Sequence, residues 1–95
     1  MNIQQMMRKA QKMQKQMQQA QAEIAKMSFT ADSGGDAVTV TAMGNGRIES
    51  VVVDPEVVDR DDIETLQDLV KIACNKALDG AEQMSNDRVK SISAN

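Results

Sequence analysis

The sequence contains no histidine, tryptophan or tyrosine, and it has one cysteine, one proline and one phenylalanine in 95 residues. Each shortage removes a class of protein. Without histidine, the Ser–His and Cys–His pairs that activate nucleophiles cannot be assembled. Cys74 has no partner for an internal disulfide, and with no histidine beside it a structural zinc site is excluded too. Phe29 alone cannot make the stacking platform on which single strands or RNA are bound. No segment reaches the roughly 18 consecutive apolar residues of a membrane span. The glutamine-rich opening lacks the apolar stretch and cleavage site of a secretory signal, so a cytoplasmic protein is expected. No enzyme, cofactor, metal ion or small-molecule substrate is expected.

What the chain does have is methionine, eight residues of it. Methionine fills gaps well but specifies packing poorly. A chain of this length forms one domain at most and buries a small share of its surface. With disulfides and metals excluded, a second copy of the chain is the remaining way to complete a thin core.

Charge is unevenly spread. Arg8, Lys9, Lys12, Lys15 and Lys26 face Glu23 alone in residues 1–27, a net of +4, while the remainder carries −7. The overall −3 argues against nucleic acid; the distribution argues for it.

Ile3, Met6, Ala10, Met13, Met17, Ala20, Ile24 and Met27 are spaced alternately by three and four, a heptad seam set among good helix formers. A helix over about 3–27 follows. Three strands are expected over about 28–32, 37–43 and 47–53. They are separated by Asp32-Ser33-Gly34-Gly35-Asp36 and Gly44-Asn45-Gly46, with Val51 and Val53 facing the core and a bulge near Ile48-Glu49-Ser50. Asp54-Pro55 ends the third strand. Asp61 with Glu64 makes a capping-box-like start to a second helix over about 62–90. Its apolar stripe includes Ile63, Leu66, Val70, Ala73 and Ala77. Gly80 in that stripe implies either close packing or a weak point, and residues 91–95 are expected to fray. The fold class is therefore α+β, in the order α-β-β-β-α. With the second helix needed on the sheet, the methionine seam is expected to have no cover within its own chain. Met6, Ala10, Met13 and Met17 are the candidate contacts of a homodimer.

Most candidate sites reduce to structure. The acidic run from Asp54 to Glu64 lacks the glycine and terminal glutamate of a calcium loop and reads as a solvated helix start. Neither glycine cluster opens a helix, so neither is a phosphate cradle. Cys74 beside Ala73 and Ala77 reads as a structural thiol. One constellation remains. Arg8, Lys12 and Lys15 fall within about 60° of one another, opposite Ala10 and Met13. Such a row can meet a phosphate backbone while the seam turns inward; it equally suits the solvated face of a long helix.

The run Met7-Arg8-Lys9-Ala10-Gln11-Lys12-Met13-Gln14-Lys15-Gln16-Met17-Gln18 resembles the opening helix of the YbaB/EbfC family of bacterial nucleoid-associated proteins. Thr30-Ala31-Asp32-Ser33-Gly34-Gly35, Val38-Thr39-Val40-Thr41 with Gly44, and Val51-Val52-Val53-Asp54-Pro55-Glu56-Val57-Val58 are similar to its turn, strands and Asp-Pro elbow. Ala31 departs from the glycine usual there, and the Pro/Gly-rich tail of many members is not in this sequence. The resemblance implies two helices flanking a three-stranded antiparallel sheet in a tweezer-like homodimer. It also implies DNA binding with modest sequence preference and a role in nucleoid organisation or gene regulation. With the cationic row, the expectation is a homodimer that grips duplex DNA through its phosphates with little sequence preference and bends or bridges it. By the same resemblance the DNA contacts are Arg8, Lys9, Lys12 and Lys15, with Arg88 and Lys90 near the end of the second helix. A different reading of the same helix is a protein-interaction module whose Met/Gln surface seats a partner protein.

Overall fold

The chain is helical from the residue after Asn2, because the Asn2 side chain accepts the Gln4 N–H at 3.0 Å and caps the first turn. The computed structural model describes residues 2–93. Helix α1 spans Ile3–Lys26, followed by strands β1 (Ser28–Ser33), β2 (Val38–Met43) and β3 (Ile48–Val53). A short 3-10 turn (Pro55–Val57) leads to helix α2 (Ile63–Ser93). The order is the expected α-β-β-β-α. Ser91, Ile92 and Ser93, expected to fray, continue the helix; Ala94 and Asn95 lie outside the described residues.

The strands form an antiparallel meander in the order β1-β2-β3. The pairing of β2 with β3 slips between Thr41–Ser50 and Ala42–Ile48, leaving Glu49 as the bulged residue. Helix α2 lies across β1 and β2. Ala31 from β1, Val38, Val40 and Ala42 from β2, and Ala73, Ala77 and Ala81 from α2 are buried together. Alanine on both sides brings the helix close to the sheet. Ser33 uses that proximity, donating its hydroxyl to the Leu69 carbonyl at 2.6 Å.

Two glycines set the packing. A Cβ on Gly80 would collide with the Phe29 ring, so glycine lets α2 cross β1 where the chain's one aromatic sits. Of the two expectations for Gly80, close packing is the one realised. Gly80→Ala should lower stability by about 1–2 kcal/mol, because overpacking outweighs the ~1 kcal/mol helical advantage of alanine. Urea denaturation measures it, and a raised midpoint would show that the ring yields at no cost. Gly44 meets the carbonyl of Ile24 just as closely, and its N–H donates to the Met27 carbonyl at 2.9 Å. That bond ties the β2–β3 hairpin to the end of α1.

The start of α2 differs by one residue from the expected box. Asp62, not Asp61, is the cap: it accepts the Thr65 hydroxyl at 2.6 Å and the Thr65 N–H at 3.2 Å. The hydroxyl first, and the N–H second, hold the Asp62 carboxyl below its ordinary range.

Two further expectations are corrected. The seam of α1 is not bare along its whole length, for Ala20 and Ile24 are buried, at 0% and 2% exposure. Helix α2 is longer than the sheet it covers, and its last turns run on past the strands to pack against α1. Val51 and Val53 share the face of Val40 and Val38 as expected, but only Val53 packs against the core. Helix α2 lies mainly on β1 and β2, leaving Val51 46% exposed and Val53 half-buried.

Candidate nucleic-acid interface

Every residue from Asn2 to Gln16 is exposed. Among the described residues, helix α1 packs on the other elements through its C-terminal part, so about 20 Å of helix stands free at 1.5 Å per residue. The molecule measures 71 × 17 × 16 Å, and its radius of gyration is 19.3 Å against about 12 Å for a compact chain of this length. An arm of this kind forms because glutamine, lysine, arginine and alanine carry helix propensity without needing burial.

Arg8, Lys9, Lys12 and Lys15 all lie on the free arm and all are exposed. Arg8 and Lys15 are two turns apart, about 10 Å along the axis, with Lys12 between them on the same side. No acidic residue occurs on α1 before Glu23, so the arm's field is positive throughout. Lys9 stands nearer the seam, beside Met13 and Gln16, at the border between cationic and apolar faces.

The second-helix candidates separate. Arg88 is committed to the protein: its guanidinium holds Glu23 at 2.9 Å and donates to the Ser91 hydroxyl at 3.0 Å. It braces α2 against α1 at the root of the arm, in a shallow groove with Gln16, Gln19 and Ile92. Lys90 is exposed, close to the same junction in sequence but outside the arm's row.

Of the seam residues, Met6 and Met13 are 52% and 51% exposed, Ala10 is exposed, and Met17 is half-buried where α2 begins to cover the helix. A second apolar tract was not anticipated. On β3, Ile48 and Val51 are exposed on the helix-bearing face while Val52 is 60% exposed on the other. Leu69 and Lys76 mark the flank of α2 over β1, where Lys76 donates to the Asp32 carbonyl at 2.7 Å. The opposite flank, with Ile63, Val70, Cys74 and Leu78, therefore borders β3. The signal for this tract was the unbroken Val51-Val52-Val53, since a strand apolar on both sides is a strand to be covered on both.

No group of three or more potential metal ligands occurs among the described residues. None of their helices is long and apolar enough to cross a membrane.

The model of the YbaB/EbfC DNA-binding family matches residues 1–95. A nucleoid-associated protein of Clostridium novyi is 48% identical over 92 residues, spanning 97% of this chain and 81% of its own. Similar proteins of that description occur in Chloroflexus aurantiacus, 42% identical with 97% and 92% of the two chains covered, and in Streptococcus pneumoniae, 44% identical with 94% and 90% covered. Among solved structures, an uncharacterized protein from Helicobacter pylori superposes with a TM-score of 0.83 over 97% of each chain at 22% identity, which establishes a shared fold.

Proposed function

The chain belongs to the YbaB/EbfC DNA-binding family, and from that premise we propose that it is a nucleoid-associated homodimer that grips duplex DNA through the phosphates with the cationic face of α1. The observation carrying this reading is the arm itself: Arg8, Lys9, Lys12 and Lys15, exposed on a projecting helix free of acidic residues up to Glu23, in a chain otherwise net negative. Lysine and arginine at this spacing meet phosphates, and the exposed Gln11 and Gln19 on the flanks of the row add amide donors to the same backbone. Binding with little sequence preference follows. Two arms in one particle give the grip on a duplex that bending or bridging requires, and through it an influence on gene expression.

The dimer is supported by surface that one copy leaves uncovered. The accessible area is 7037 Å², against about 5,400 Å² for a compact monomer of this mass. A standard interface takes about 800 Å² from each partner, well within that excess. The tract along β3 and the adjoining flank of α2 is the better closure, since it is apolar on both faces of an edge strand with an unpaired backbone. The seam residues Met6, Ala10 and Met13 stand on the free arm, and Met17 is partly taken by α2.

A gel-shift titration of random-sequence duplex across a range of salt tests the proposal: log affinity should fall linearly with log salt. Arg88→Gln should leave that affinity nearly unchanged, because its charge is already paired with Glu23. Its cost to stability should be below about 1 kcal/mol, as for other partly exposed ion pairs. A loss of binding as large as that from the α1 cations would place DNA at the root of the arm.

A further inference from the structure

Ile3, Met6 and Met13 keep 73%, 52% and 51% of their surface on the half of α1 that no other described element covers. The same heptad seam continues without a break into Ala20 and Ile24, which are buried against the body of the protein. The free half is thus built as a helix-packing surface and lacks only its helix. We infer that the free half of the α1 seam is a contact between dimers, an antiparallel pairing of two arm tips that forms when dimers sit side by side on DNA. This rests on the reading of the chain as a DNA-binding dimer.

The seam itself indicates a second copy as the occupant. A two-fold axis between Met6 and Ala10 sets Ile3 opposite Met13, and Met6 opposite Ala10 of the other copy, then the same two layers in reverse. Each bulky Met6 meets a small Ala10, as interdigitating layers require. A parallel pairing would put Ala10 on Ala10 and leave a gap. These four layers use Ile3 to Met13, the stretch that α2 does not cover, and stop before half-buried Met17. The same axis brings Met7 against its copy. Met7 is 56% exposed, stands outside the heptad seam, and otherwise has no evident use.

Charge explains why such a contact depends on DNA. The axis also brings the two Lys9 side chains together, and each arm is positive along its length. Free dimers therefore repel tip to tip, with only four apolar layers to oppose that repulsion. Phosphates lying against Arg8, Lys12 and Lys15 neutralise the arms. A shared duplex also raises the local concentration of one tip near the next.

The experiment compares Met6→Gln/Met13→Gln with the parent on two random-sequence duplexes, one with room for a single dimer and one with room for several. Glutamine keeps the helix and removes the apolar contact. The parent should bind the long duplex with a Hill coefficient above 1; the double variant should fall to about 1 there and lose roughly tenfold in apparent affinity. On the short duplex the two should bind alike. If the parent is non-cooperative on the long duplex, or the variant keeps the parent's steepness, the contact does not exist. If the parent fails to bind even the short duplex, it is the DNA-binding reading that falls. Far-ultraviolet circular dichroism confirms that both remain folded. Oxidative crosslinking gives an independent reading. Met7→Cys should link two chains on the long duplex, whereas Gln11→Cys, on the far side of α1, should not; equal linking from both would overturn the axis.

Discussion

Replacing Arg8, Lys12 and Lys15 by glutamine should weaken binding to unrelated duplexes by at least about a hundredfold at moderate salt. Each phosphate contact contributes roughly 0.9 to the slope of log affinity against log salt. Two arms carrying three such side chains should therefore flatten that slope by about five. The loss should be the same for every duplex, since phosphates carry no sequence. Helix α1 should survive the change, because glutamine is nearly as good a helix former as lysine and all three positions are exposed. A triple variant with the parent's affinity and slope would move the site off this face altogether.

Val51→Asp should turn the proposed dimer into a monomer in dilute solution, seen by light scattering as a fall to the chain mass of 10.4 kDa. Val51 lies on the helix-bearing face of an edge strand and is 46% exposed in one chain. A carboxylate there keeps its water in the monomer but would be buried and unpaired in a dimer closed along β3, which is strongly disfavoured. Met13→Asp offers the contrast: its side chain stands on the free arm, and the solution mass should stay that of the dimer. If instead Val51→Asp remains dimeric and Met13→Asp dissociates, the arms and not the strands hold the two chains together. Near-native circular dichroism of both variants separates dissociation from unfolding.

Local chemistry made much of the fold legible. The three–four spacing of apolar residues gave α1, and its observed ends at Ile3 and Lys26 follow from the Asn2 cap and the strand that begins at Ser28. The Gly-Asn-Gly turn and the Asp-Pro elbow bound β3, and the broken alternation at Ile48-Glu49-Ser50 marked the bulge. The cationic row was legible as well, because one helix places its residues without help from the rest of the chain. What could not be read was reach. The length of α2 beyond the sheet, which brings its last turns against α1 and engages Arg88 with Glu23, depends on where the helix sits over the strands. Nor does pattern show that one helix covers two strands and leaves the third open.

The division has a physical basis. Helix periodicity, turn chemistry and the sign of charge along α1 depend on residues a few positions apart, so the linear order of amino acids decided them by itself. Which half of the seam is covered, why Gly80 must lack a side chain, and why Val51 faces the helix layer yet remains in water depend on residues tens of positions apart meeting at one place. Only the packing of α2 across β1 and β2, set by the close fit of alanines between helix and sheet, decided those.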